Sequence, residues 1–75
     1  MKLPRDVTSR ELINLMKKLG FSVVRQRGSH TRLEYKGRFI TVPVHKNIKP
    51  GLLHAILKSV SEITGVSIDD LYRML

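Results

Sequence analysis

Residues 21–44 read FSVVRQRGSHTRLEYKGRFITVPV, and this stretch decides the fold. Two turn signals, Gly28-Ser29 and Lys36-Gly37, divide it into three short segments rich in β-branched and aromatic residues. A glycine-containing pair between two such segments is typical of a tight hairpin. The stretch therefore predicts a three-stranded antiparallel meander, with strands near residues 21–27, 30–35 and 38–44.

Two-residue turns also predict which side chains share a face of this meander, because they set the pairing register. Counting outward from both turns places Val24, Leu33 and Ile40 in one row, with Thr31 and Val42 beside them. We expect this face to pack against helices. The opposite face then carries mainly charged and polar side chains, namely Arg25, Arg27, His30, Arg32, Glu34, Phe39 and Thr41.

Helical patterns flank the meander on both sides. Thr8 and Glu11 form a capping-box pattern ahead of apolar residues at helical spacing, which predicts a helix over residues 9–19. A second helix begins near Pro50, since proline suits the first turn of a helix. Ser67 has the pattern of an N-cap for a short third helix that runs to the end of the chain.

These elements predict a single α+β domain over residues 1–75. The order is α-β-β-β-α, followed by the short helix, with a three-stranded antiparallel sheet that has the helices on one face. Small double-stranded-RNA-binding domains share this layout, so we predict a fold of that kind.

The composition excludes several classes of function. The chain has no cysteine, which excludes a disulfide framework, a thiolate zinc site and a cysteine nucleophile. Its histidines have no carboxylate partners at ligand spacing, so we expect no metal and no cofactor. No stretch approaches the roughly 20 apolar residues of a membrane span, and the first residues contain no apolar run typical of a signal peptide. We therefore expect a cytoplasmic protein without a membrane partner.

The net charge of +8 is concentrated in the middle of the chain. Residues 17–49 contain nine lysines and arginines and a single acidic residue, Glu34. Such a distribution is typical of a surface that faces a nucleic acid, although a solvated basic face without a ligand gives the same pattern. DNA is the less expected partner, because neither long helix leaves a free face with base-reading side chains at its N-terminus.

His30 is the candidate for chemistry on this basic segment. RNA carries its own nucleophile in the 2′-hydroxyl and needs a group that accepts its proton, which an imidazole can do near neutral pH. Gly28 would let the backbone approach a phosphate, and Ser29 would add a hydroxyl donor. The cations expected to bind RNA or to stabilise charge in the transition state are Arg25, Arg27, Arg32 and Lys46.

His45 is a candidate second imidazole, because cleavage is more efficient when an acid protonates the leaving 5′-oxygen. The alternative for His45 is a structural role. From the residues alone, an ordinary surface histidine beside a hairpin turn is the favoured interpretation of His30.

Short motifs in a fixed order run along residues 9–58. They are Ser9-Arg10-Glu11, Gly20-Phe21, Val24-Arg25-Gln26, Gly28-Ser29-His30, Thr41-Val42-Pro43-Val44-His45 and Ile48-Lys49-Pro50-Gly51. This ordered set resembles the HicA (YcfA-like) family, the toxins of HicA/HicB-type toxin-antitoxin systems. Residues 67–71 also resemble the usual last helix of that family.

The resemblance implies a toxin that binds and cleaves messenger RNA without a metal and that is neutralised by a HicB-type antitoxin protein. It also implies that the histidine of Gly-Ser-His, here His30, is required for activity. Two other classes of function remain open: a non-catalytic RNA-binding module or inactive toxin homologue, and a protein-interaction subunit whose basic face serves an acidic partner.

Overall fold

The computed structural model describes residues 7–75 and has the predicted α+β order. The elements are α1 (Ser9–Leu19), β1 (Ser22–Arg27), β2 (His30–Tyr35), β3 (Arg38–Pro43), α2 (Pro50–Thr64) and α3 (Ile68–Met74). The three strands form one antiparallel sheet in the order β1-β2-β3. The predicted bounds of α1 and β2 are confirmed, and β1 and β3 are each one residue shorter than predicted.

The helix ends follow the sequence signals. Thr8 caps α1 through a complete capping box with Glu11, and Gly20 ends the helix in a left-handed conformation with φ 112°. Pro50 occupies the first turn of α2. The Ser67 hydroxyl accepts a hydrogen bond from the backbone N–H of Asp70 at the start of α3.

The two hairpin turns differ in backbone conformation. Gly28 has φ 56° while Ser29 stays at negative φ, which is the φ pattern of a type II′ turn. Lys36 and Gly37 both have positive φ, of 47° and 83°, as in a type I′ turn. Both turns contain two residues, as predicted, so the pairing next to each turn follows the expected register.

The predicted pairing of Val24 with Leu33 is wrong. A β-bulge lies between Val23 and Arg25, so Val23 is the residue that pairs with Leu33. Val24 has no partner in the ladder and its side chain is 48% exposed. The expectation that Val24 packs in the helix-facing row is therefore also wrong. Counting from the turn gives the correct pairing only as far as Arg25, because the bulge then inserts one extra residue into β1.

The core lies between the helices and one face of the sheet. Leu33, Ile40 and Val42 contribute from the strands, and their predicted alignment on this face is confirmed. The polar Thr31 is buried beside them at 2% exposure. The helices and the segments around them contribute the rest of the buried apolar cluster: Val7, Leu12, Leu15, Met16, Phe21, Ile48, Leu53, Ile56, Leu57, Val60 and Leu71.

α3 closes the end of the core against α2. Its Leu71 is fully buried. On the surface, the His54 Nδ1 of α2 lies 3.1 Å from the Tyr72 hydroxyl, and the two rings stack with 6.2 Å between their centroids. None of the helices within residues 7–75 combines the length and the apolar character needed to cross a bilayer.

Candidate functional site

The predicted outer face of the sheet is present, and its cations form two adjacent rows. Arg27 is paired with His30, and Arg25 is paired with Arg32 in the next row. Side chains directly opposite one another in an antiparallel pair have Cβ atoms only about 5 Å apart on the same face. We refer to Arg25, Arg27, His30 and Arg32 as the basic face.

All four residues of the basic face are exposed. Their neighbours on β3 are neutral, because Thr41 is paired with Arg32 and Pro43 is paired with His30. Glu34, the acidic residue of this side of the sheet, pairs with Phe39 at the far end of β2. The positive charge around His30 is therefore not neutralised by a carboxylate within the same rows.

His30 begins β2 directly after the turn. Its Nδ1 lies 3.5 Å from the Ser29 hydroxyl oxygen, at the outer limit of a hydrogen bond. Gly28 adopts the left-handed φ that a type II′ turn needs, and a Cβ at this position would meet no atom within 4 Å. The turn is thus open to solvent, and the imidazole stands at its edge where a ligand can reach it.

Arg32 is held by an aromatic ring that the sequence did not reveal as its partner. The guanidinium carbon lies 4.3 Å from the centroid of Phe39, close enough for a cation–π interaction. Phe39 is itself 48% exposed, so the pair stands on the surface of the sheet. Sequence reasoning placed both residues on this face, and their diagonal position across β2 and β3 is the signal that could have identified the contact.

The loop between β3 and α2 brings His45 and Lys46 to the same end of the sheet. The backbone N–H of Val44 donates to the carbonyl of Ser29 at 2.7 Å, so the loop leaves β3 beside the hairpin turn. His45 and Lys46 follow directly and both are exposed. Within residues 7–75, no hydrogen bond or ring contact joins the imidazoles of His45 and His30.

Ser9 fixes this loop, and sequence reasoning missed that role. Its hydroxyl donates to the carbonyl of His45 at 3.1 Å and accepts from the backbone N–H of His45 at 3.1 Å, while the Ser9 N–H donates to the same carbonyl at 3.0 Å. Ser9 is only 5% exposed. The N-terminus of α1, the loop and the hairpin turn therefore form one connected surface around His30.

The part of the chain that the structure describes contains no group of three or more histidine, cysteine, aspartate or glutamate side chains placed to hold a metal ion. What the site does provide is one exposed imidazole, a glycine turn open to solvent, three arginines and a nearby lysine. This set can accept a proton and can bind a polyanion along a flat surface.

Comparison with known proteins gives one family. Residues 9–61 match the family model described as the HicA toxin of bacterial toxin-antitoxin systems, and the matched segment includes α1, the whole sheet, the loop and most of α2. No curated protein and no solved structure matches the chain significantly. Because the family model covers well over half of the chain, this protein belongs to the HicA family of toxins, which act in toxin-antitoxin pairs.

Proposed function

We propose that this toxin is a metal-independent endoribonuclease that binds messenger RNA on the basic face and cleaves it with His30. The observation that supports this most directly is the position of His30, which is exposed, adjacent to an open turn and opposite Arg27. Family membership supports the toxin role, and the chemistry is argued from the side chains.

The reaction we propose is an internal transfer within the RNA. The 2′-oxygen attacks the adjacent phosphorus, the bond from phosphorus to the 5′-oxygen breaks, and a 2′,3′-cyclic phosphate and a 5′-hydroxyl result. His30 accepts the proton of the 2′-hydroxyl as the attack proceeds. In the tautomer suited to this step, Nδ1 carries the hydrogen and donates it to the Ser29 oxygen, which leaves Nε2 free as the acceptor.

The arginines supply charge where the phosphate gains it. Arg27 lies opposite His30, and Arg25 and Arg32 lie one row further along the face. A guanidinium can donate two hydrogen bonds to a phosphate, which stabilises the additional negative charge of the transition state. The backbone at Gly28 and the Ser29 hydroxyl would contact the same group from the turn.

The second proton transfer, to the leaving 5′-oxygen, needs an acid. His45 is the proposed donor, and Lys46 is proposed to bind the phosphate on that side, because the loop that carries both residues is hydrogen-bonded to the turn. The proposed protein partner is a HicB-type antitoxin, which would neutralise the toxin by preventing RNA from reaching this surface.

The decisive experiment compares the wild-type chain with His30→Ala. Purified proteins are incubated with a labelled single-stranded RNA in the presence of EDTA, and cleavage is followed on a gel. We expect His30→Ala to reduce the cleavage rate by roughly 10²–10⁴-fold, the usual range for loss of a general base. His54→Ala serves as the matched control, since His54 is an exposed histidine on α2 that faces Tyr72.

Each outcome separates the alternatives. RNA binding by both proteins with cleavage by neither would favour a non-catalytic RNA-binding module. Absence of both binding and cleavage would favour a protein-interaction subunit. Equal cleavage by wild type and His30→Ala would show that another residue is the base, and cleavage abolished by EDTA would contradict the metal-independent mechanism. In cells, the wild-type protein and His30→Ala are each expressed from an inducible promoter. Growth and the integrity of messenger RNA then show whether toxicity depends on His30.

A further inference from the structure

A polar groove lies between α1 and the hairpin that carries His30. It has a volume of about 350 Å³ and is open to solvent. From α1 it is lined by Arg10, Asn14 and Lys17, which are four and three residues apart and so lie on one side of the helix. We call it the α1 groove. None of its lining residues is acidic.

The other wall of the α1 groove is formed by the β1–β2 hairpin that carries His30. Gln26 of β1 and Thr31 of β2 line it, and these two residues are paired across the hairpin. They are the direct chain neighbours of Arg27 and His30, whose side chains point to the opposite face of the sheet because side chains alternate along a strand. The groove and the basic face are therefore the two sides of the same end of the hairpin.

The route between the two sides is open. They meet around the Gly28-Ser29 turn, where a Cβ would contact nothing within 4 Å. They also meet along β1, which is an edge strand of the sheet and whose residues are all exposed. A flexible strand could thus continue from the basic face to the α1 groove around Gly28 or over the exposed edge of β1.

We propose that the α1 groove is a second binding site for the same RNA strand, taking nucleotides next to the one that His30 cleaves. This inference rests on the proposed function and adds residues to it. Arg10 and Lys17 bind phosphates, and the carboxamides of Asn14 and Gln26 contact base edges. Carboxamides present a donor and an acceptor side by side, which suits the edge of a nucleobase, whereas an acidic peptide would need only the cations.

The test uses two neighbouring lysines of α1 as a matched pair. Lys17 lines the groove and Lys18 does not, yet both are exposed in the last turn of the helix and have the same relation to its dipole. Lys17→Gln and Lys18→Gln are each introduced into the His30→Ala protein, so that RNA is bound without being cleaved. Affinity for a fluorescent single-stranded RNA is measured by anisotropy at several salt concentrations.

We expect Lys17→Gln to weaken binding roughly three- to tenfold and to reduce the slope of log affinity against log salt by about 0.7, the contribution of one phosphate contact on a single strand. Lys18→Gln should leave the slope unchanged. Arg10→Gln should behave like Lys17→Gln. Asn14→Ala and Gln26→Ala should instead change the preference among RNA sequences, with little effect on the slope.

The outcomes distinguish this inference from the function on which it rests. If the His30→Ala parent binds RNA and the two lysine variants lose affinity equally, the groove is not a binding site, while the proposed ribonuclease is unaffected. If the parent binds no RNA, both ideas fail. Binding of a poly-aspartate peptide is measured in parallel. If Lys17→Gln weakens binding of this peptide but not of RNA, the groove binds an acidic protein segment and the RNA assignment is wrong.

Discussion

Gly28 connects backbone conformation to the position of His30. Its φ of 56° is one that residues with a Cβ adopt only with strain, although the space around it is empty. The requirement for glycine is therefore conformational and does not come from a steric contact. A side chain here would deform the turn that aims the imidazole.

We predict that Gly28→Ala lowers the free energy of unfolding by about 1–2 kcal/mol, the cost of forcing a residue with a Cβ into this conformation. Gly51→Ala makes the same chemical change in the first turn of α2, where φ is not positive, and should be neutral or stabilising by a few tenths of a kcal/mol. Urea unfolding of the two variants measures both values. Equal stability of the two would show that the turn tolerates a side chain.

Phe39 affects the basic face through Arg32. The ring restricts the guanidinium to one region of the surface, so Arg32 would lose less conformational freedom on binding the proposed phosphate. We predict that Phe39→Leu weakens RNA binding roughly two- to fivefold, in line with an exposed cation–π interaction of about 0.5–1 kcal/mol. Phe39→Tyr, which keeps the ring, is the control. Equal affinities of the two variants by anisotropy would contradict this role.

Much of the site was predictable at the residue scale, because the pairing next to a two-residue turn depends only on counting. That is why the pairing of Arg27 with His30 and of Arg25 with Arg32 followed from the sequence. Val24 was not predictable in this way, since Val23 and Val24 are chemically identical and the pattern does not show which one is bulged.

At the scale of elements, α1 is hydrogen-bonded to the loop between β3 and α2. The two bonded residues, Ser9 and His45, are 36 positions apart in the chain. Ser9 provides this link with its backbone and its hydroxyl. A serine in the first turn of a helix is ordinary, so the sequence gives no sign that this hydroxyl bonds to a distant loop. Long-range hydrogen bonds of this kind depend on the packed fold and not on local pattern.

We predict that Ser9→Ala lowers the free energy of unfolding by about 1–2 kcal/mol, because it removes the side-chain partner of the His45 backbone N–H from a partly buried hydrogen bond. It should also slow RNA cleavage by displacing His45 and Lys46. Ser59→Ala is the control, since the hydroxyl of Ser59 makes no hydrogen bond within residues 7–75. Thermal unfolding measures the stability of both variants, and the cleavage assay measures their activity. A Ser9→Ala protein as stable as Ser59→Ala would show that the loop keeps its position without this hydroxyl.

At the scale of the whole molecule, the distribution of charge determines which cations are available to bind a polyanion. Within residues 7–75 the salt bridge that forms is the exposed one between Arg73 and Asp70, far along the chain from the basic face. An exposed pair of this kind contributes little to stability. The cations of the central segment therefore remain available for a polyanion.

We predict a steep salt dependence of RNA binding. If the three arginines of the basic face, Lys46, Arg10 and Lys17 each contact a phosphate of one RNA strand, log affinity should fall against log salt with a slope of about −4, so that affinity drops roughly 300-fold between 50 and 200 mM salt. Anisotropy titrations of the His30→Ala protein measure the slope. A slope near zero would mean that binding, if present, does not involve the phosphates.

The fold as a whole was predictable because its signals agree. Turn glycines, helix caps and apolar spacing all indicate the same order of elements, and the structure has that order. The α1 groove was not predictable from the sequence, since Arg10, Asn14 and Lys17 have the pattern of an ordinary solvated helix face. Only the packing of α1 beside β1 shows that this face adjoins the hairpin that carries His30.

The bulge in β1 also bears on whether two copies of this small protein can pair through their sheets. A sheet of three strands has two open edges, and an open edge is a template on which the strand of a second copy can pair. The bulge at Val24 interrupts the regular spacing of that edge, and the arginines that follow it would place like charges together if two copies met there. The residues proposed to attract RNA would thus also disfavour edge-to-edge pairing of two copies.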